Sequence, residues 1–273
     1  LIVIGAGPAG LAAAVEAARA SLSCTLIDEA YHLGGQIYRT PSAGFRVTDG
    51  GALGKDFASG ERLRAEFAAV AERVEVLSGT SVLGVWDGRE VFWASEKASG
   101  LIRAERLVIA AGAYDRPVPF PGWTLPGVMT AGGVQAILKT SFVRPGRRAL
   151  VAGTGPLLAG VANRLRLAGV ELAAVLEAGP PWWPPEPLPP EWDGWEFMAD
   201  ALEHWRALRA AGVPVVPHHT VFTAHGRGQV EGAAYGPVRS DDWSQLHGGV
   251  LTAEVDLVVT GFGFVPNTEL ATL

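Results

Sequence analysis

Residues 1–20, LIVIGAGPAGLAAAVEAARA, decide the fold. A short apolar, β-branched run gives way to Gly5-x-Gly7-x-x-Gly10, and an Ala-rich helical stretch follows. A second apolar run, CTLID at 24–28, ends in the acids Asp28 and Glu29. Strand, Gly-rich turn, helix, strand and terminal acid are the parts of a dinucleotide-binding β-α-β unit, in order. Each residue type has a reason to be there. Gly5 permits the tight strand-to-helix turn, Gly7 lets the backbone approach a pyrophosphate, and Gly10 lets the helix pack closely on the strand. Pro8 and Ala9 open the helix, whose N-terminus offers N–H groups and a partial positive charge to phosphates. Asp28 stands where a carboxylate accepts hydrogen bonds from ribose hydroxyls, with Glu29 the neighbouring alternative.

Working outward, VAGTGPLLAG at 151–160 repeats the design in altered form. The strand RRALVAG runs into Gly153-x-Gly155 and a helix, but Leu158 takes the place of the third glycine. Pro156 falls in the first helical turn, where a missing N–H costs little. Glu177 ends the next strand, ELAAVLE, and a terminal acid favours NAD over NADP because it repels a 2′-phosphate. A leucine at the third position is expected to hold helix and strand further apart. A nucleotide can still bind such a turn, but NAD(P)H is not expected to work there as a hydride donor. On this reading, Leu158→Gly improves nucleotide binding.

Three further segments carry the same punctuation. LGGQIYR (33–39) places Gly34, Gly35 and Gln36 soon after the terminal acid, so that backbone can pass close to a planar ligand or its phosphates. RLVIAAGAYDRP (106–117) is an apolar strand closed by Ala111 and Gly112. DLVVTGFGFVPNT (256–268) is another strand, closed by Thr-Gly and then Pro-Asn.

Together these segments resemble the two-dinucleotide-domain flavoproteins of the pyridine nucleotide-disulfide oxidoreductase superfamily, over nearly the whole chain. GAYDRPVPFPGWTLPGVMTAGGVQAILK (112–139) and the closing GFGFVPNTEL are similar to FAD-binding large subunits of heteromeric amine and amino-acid dehydrogenases. That group includes opine oxidase, hydrogen cyanide synthase, hydroxyproline and proline dehydrogenases and, more distantly, the alpha chain of sarcosine oxidase. The resemblance implies an α/β protein with two Rossmann-like dinucleotide-binding domains, the second inserted in the first. It implies that Gly5, Gly7, Gly10 and Asp28 hold the ADP half of FAD. Gly35 and Gln36 would lie along the pyrophosphate or flavin, Val82 would meet the adenine through its backbone, and Ala111 and Gly112 would close over the cofactor. Tyr38 and Arg39 would lie near the flavin, and Arg116 near its phosphates unless it serves a structural ion pair. NAD(P) is the second nucleotide left open, at Gly153, Gly155 and Glu177.

Two departures narrow the chemistry. The disulfide reductases of the superfamily need a pair of cysteines beside the flavin, and this chain has one cysteine, Cys24, in an apolar run. A dithiol mechanism is therefore excluded for this chain. The superfamily also places a Gly-Asp segment after the Pro-Asn strand. Relatives continue into a Cys-rich stretch that can hold an iron–sulfur cluster, so a fragment with a trimmed start is expected.

Composition agrees with a globular chain, 48% hydrophobic and 18% charged, long enough for one large or two medium domains. A net charge of −6 without clustered Lys and Arg argues against nucleic acid. No apolar run reaches the length of a membrane span. A lone cysteine fits a reduced compartment, so the expected location is cytoplasmic, with the inner face of a membrane open.

The expected domains are 1–115 with 249–273 for FAD, a linker and helix at 116–145, and a second, NAD(P)-like domain at 146–248. No internal repeat is visible beyond the two turns. The Pro- and Trp-rich stretch 177–195 is either a docking surface or an irregular loop on its own domain, and 195–212 is an amphipathic helix. Adjacent His218 and His219 point to opposite faces of a strand and make no metal pair, and no metal site is expected. No catalytic side chain is identifiable. The expected function is an FAD-dependent dehydrogenase subunit that relays electrons from an amine or amino acid, beside a smaller flavoprotein subunit. The alternatives are an NAD(P)H-dependent flavin reductase and a non-catalytic nucleotide-binding scaffold.

Overall fold

The computed structural model describes residues 1–48, 54–179, 194–239, 244–246 and 248–272. The chain opens with β1 (Ile2–Ile4), α1 (Pro8–Arg19), β2 (Cys24–Asp28) and α2 (Lys55–Ala68). Then come β3 (Val74–Ser78), β4 (Thr80–Trp86), β5 (Glu90–Ser95), β6 (Ser99–Arg103), β7 (Leu107–Ile109) and β8 (Ala113–Asp115). The middle holds β9 (Val128–Thr130), α3 (Ala131–Ser141), β10 (Arg148–Gly153), α4 (Pro156–Leu167), β11 (Glu171–Glu177) and α5 (Trp195–Ala210). The last elements are β12 (Val215–Pro217), β13 (His219–His225), β14 (Gly232–Pro237), β15 (Leu251–Glu254), β16 (Leu257–Gly261), β17 (Phe264–Pro266) and α6 (Glu269–Thr272).

They form two compact units, Leu1–Tyr114 with Pro266–Leu273, and Asp115–Val265. In the first, β3-β2-β1-β7 make a parallel sheet. Its β-branched strands bury both faces, as a parallel sheet requires. Val3 and Leu26 face Leu11, Ala14, Val15 and Ala18 of α1, with Phe67 of α2 alongside. Ile2, Ile4 and Ile27 face the other way, onto Val91 of the antiparallel meander β4-β5-β6. Cys24 is buried in β2, and burial pushes its thiol pKa up.

The second unit repeats this plan. Its parallel sheet runs β12-β11-β10-β16-β9. Val151, Val175 and Val259 face Leu158 and Leu165 of α4 and Leu208 of α5. Leu150, Leu176 and Val258 face Val221 and Val230 beside the meander β13-β14-β15. The repeat therefore extends from the turns to sheet and meander alike.

The unit boundaries differ from those expected. Residues 249–265 belong to the second unit, because Ala149–Gly153 of β10 pairs with Leu257–Gly261 of β16. β9 and α3, expected in a linker, supply that sheet's edge strand and a packing helix. The chain leaves the first unit at β8 and returns at β17, and these two strands pair with each other. Within the stretch 177–195, residues 180–193 lie outside the described ones. Among the described residues no helix is long and apolar enough to cross a membrane.

Candidate functional site

The first Gly-rich turn needs two of its glycines for the fold itself. Gly5 has φ +97°, and a Cβ there would fall 2.3 Å from the Ala110 carbonyl oxygen. A Cβ on Gly10 would fall 1.7 Å from the Gly5 oxygen, so only glycine lets α1 lie this close to β1. Gly7 is different. It is extended (φ −70°, ψ −175°), and its Cβ would meet nothing closer than the Gly35 Cα at 4.0 Å. The fold does not require glycine there; a ligand lying against the backbone would. Gly7 is also the N-cap of α1, with no side-chain cap bond and no acid in the first turn. Because the helix begins at Pro8, the N–H groups of Ala9 and Gly10 have no acceptor within it. Free donors, no acid in the first helical turn and a cradle that a Cβ would begin to fill suit the pyrophosphate of FAD.

The loop after β2 folds back onto this turn. Gly34 N–H donates to the Ala6 carbonyl at 2.8 Å, and a Cβ on Gly35 would lie 2.8 Å from the Gly7 Cα. The exposed Gln36 side chain accepts from Arg39 Nε at 2.9 Å. The Tyr38 carbonyl accepts from Arg64 Nη1 at 2.9 Å, which fastens the loop to α2. Asp28 accepts from Ala6 N–H on one oxygen and from Ala30 N–H, at 2.7 Å, on the other. Its half-buried carboxylate keeps further acceptor capacity, and Glu29 is exposed. Ala111 and Gly112 follow β7 past Gly5, and the Gly112 carbonyl accepts from Asn267 N–H at 2.9 Å. The structure thus gathers Gly5, Gly7, Gly34, Gly35, Asp28 and the 110–112 segment. Val82 stands apart on β4, at a register shift, packed in the apolar cluster around Ile27.

The second turn is built otherwise. A Cβ on Gly153 would fall 2.0 Å from the Gly261 oxygen, so the close approach of β10 and β16 demands glycine. Here the second glycine, Gly155, has the positive φ of +88°, with open space around it. Leu158 is 1% exposed and belongs to the core with Val151, Leu165 and Val259. A full leucine fits where, in the first turn, even a Cβ would strike backbone, so the two helices start differently on their strands. Leu158→Gly would therefore open a cavity in that core. Glu177 is 3% exposed and turned inward. It accepts from Gly155 N–H at 3.1 Å and from Gly179 N–H at 3.0 Å, with the Thr154 side chain beside it. Burial holds its pKa above the usual carboxylate range, against the pull of those bonds.

Two residues of the GAYDRP motif find other work. The Asp115 carboxylate accepts from Gly132 N–H at 3.0 Å, joining the Thr130 hydroxyl, which accepts from Gly133 N–H at 3.2 Å, in capping α3. A cap 17 residues away in sequence leaves no local signature. Arg116 is exposed, and its backbone N–H donates to the Gly263 carbonyl at 2.9 Å. His219 Nδ1 bonds the Pro217 carbonyl at 2.8 Å, and among the described residues no His/Cys/Asp/Glu group could hold a metal ion.

Comparison with known proteins agrees with this architecture. Hydrogen cyanide synthase subunit HcnB of Pseudomonas aeruginosa is 35% identical over 274 residues, covering 99% of this chain and 58% of the relative. An opine oxidase subunit of Agrobacterium tumefaciens is 40% identical over 185 residues, 65% of this chain and 36% of the relative. The chain therefore spans little more than half of these relatives at most. Among solved structures, L-proline dehydrogenase from P. horikoshii superposes with a TM-score of 0.61 at 21% identity, over 99% of this chain and 43% of that one. T. acidophilum thioredoxin reductase gives 0.66 at 18% identity, over 98% and 78%. These likenesses establish the fold. The pyridine nucleotide-disulphide oxidoreductase profile matches residues 1–273, and the chain belongs to that family of flavin-dependent oxidoreductases.

Proposed function

We propose that the chain binds FAD in its first unit and serves as the large subunit of a heteromeric dehydrogenase acting on an amine or amino acid. The observation that carries the cofactor assignment is Gly7, a glycine the fold does not need, at the capless start of α1. Ala9 and Gly10 N–H groups would hold the pyrophosphate, with Gly35 backbone beside it. Asp28 would take the ribose hydroxyls on the acceptor capacity its two backbone bonds leave. Ala111 and Gly112 would close over the cofactor, and Val82 would meet the adenine through its backbone. FAD held by these residues would supply electron-transfer chemistry. Cys24, buried in β2, cannot act as a dithiol partner to it.

Support for the heteromeric reading comes from relatives that carry subunit names, the alpha chain of sarcosine oxidase from Rhizobium meliloti among them. On this reading a smaller flavoprotein subunit removes hydride from the C–H beside nitrogen, and water hydrolyses the imine. This chain then relays electrons, in the cytoplasm or at the inner face of a membrane. The test is flavin bleaching in the purified chain. An amino acid should bleach it only when the partner subunit is present; rapid bleaching by NADH alone would replace this reading with a flavin reductase.

A further inference from the structure

Both Gly-rich turns are tied to the acid that ends the following strand, and the ties differ in a way that separates their uses. Asp28 takes one N–H from inside its turn and one from two residues downstream, and stays half-exposed. Glu177 does the same with Gly155 and Gly179, with Thr154, which occupies the place of Ala6 in the first turn, beside it. A carboxylate has about four acceptor positions. Two are filled at Glu177, as at Asp28, but at 3% exposure the remaining ones do not face solvent for a ribose.

We propose that Glu177 is the internal ligand of the second turn, a positioning residue that fills the place of a nucleotide and closes this unit to NAD(P)H. Its longer side chain reaches the N-cap Gly155, whose N–H belongs to the start of α4. The buried acid no longer stands ready to repel a 2′-phosphate, so NADH and NADPH are excluded alike. The assignment concerns the second unit alone and is independent of the FAD reading.

The experiment uses the whole chain. NADH, NADPH and ADP are titrated by calorimetry, with flavin content as a separate record of the first unit. No saturable binding is expected below about 1 mM. In Glu177→Gln, amide exchange at Gly155 and Gly179 should quicken by about tenfold or more as the turn opens. A pH series tests the burial of the acid on which the latch depends. Burial raises the folded pKa of Glu177, and His218 is the charged group that acts on it. Stability from this group is full below the ordinary value of 4.5 and lost as pH rises through the folded pKa. Glutamine does not titrate, so the gap in melting temperature between the two proteins should change across that window; a constant gap would refute the burial of Glu177 and with it the closed turn. If Glu177→Gln does not fold, Thr154→Val removes the hydroxyl beside the acid and should still quicken exchange at Gly155 and Gly179. Saturation by NADH below about 0.1 mM, weakened tenfold in Glu177→Gln, would make Glu177 a ribose ligand and overturn the proposal. Unchanged exchange in both variants would overturn it equally.

Discussion

Gly7→Ala separates folding from cofactor binding at the first turn. Its φ and ψ are open to any residue, and the new methyl would meet only the Gly35 Cα, at 4.0 Å. Removing a glycine from the unfolded chain stabilises by about 0.4–1 kcal/mol. The N-cap preference for glycine over alanine takes back roughly as much. The apoprotein should therefore melt within about 2 °C of the parent, at roughly 2–4 °C per kcal/mol for a chain of this size. FAD binding should suffer far more. The methyl stands where the pyrophosphate must approach, and losing two charge-assisted bonds costs about 1.5–3 kcal/mol each. That corresponds to about 10²- to 10⁴-fold in Kd. Apoprotein melting and a fluorescence titration with FAD read the two effects. Parental FAD affinity, or an apoprotein that no longer folds, would refute the reasoning.

Gly10→Ala should do the opposite, because its Cβ would lie 1.7 Å from the Gly5 oxygen. We expect a loss of about 3 kcal/mol or more, seen as a fall in the apoprotein melting temperature. Leu158→Gly should cost about 3–6 kcal/mol, from the cavity and the helical glycine together, read as a lower urea midpoint. Asp28→Ala should weaken FAD binding by about 1–3 kcal/mol and Glu29→Ala should not; the reverse result moves the ribose contact one residue along. Cys24, buried with its thiol pKa raised, should label with a thiol reagent only as fast as the protein unfolds.

The first turn is readable because its glycines answer local needs: Gly10 lies where a Cβ would strike the Gly5 carbonyl, and Gly5 itself takes a positive φ. The parallel sheets are readable from their apolar runs for the same reason. What the sequence does not disclose depends on partners far along the chain. β16 reads as a buried strand wherever it pairs, and only its register with β10 puts it in the second unit. Glu177 reads as a terminal acid whether it faces a ribose or its own turn, and its burial decides. Leu158 reads as a missing glycine, yet it is a core side chain of a helix set differently on its strand. Asp115 caps α3 across 17 residues, a distance at which no capping pattern shows.

The crossing at β8 and β17 also bears on the order of events during synthesis. Every strand of the second unit lies between residues 115 and 265, so that unit holds all its own partners once Val265 has emerged. Its sheet still waits long for closure. β9 is made early, yet its neighbour β16 follows more than a hundred residues later, as Val258 pairs with Val128. Pairings this distant slow folding. Until β16 arrives, β9 and β10 keep the edges that it will pair, the condition in which unpaired strands associate between molecules. Slowing translation after Val265 should raise soluble yield more than slowing it anywhere before Leu257.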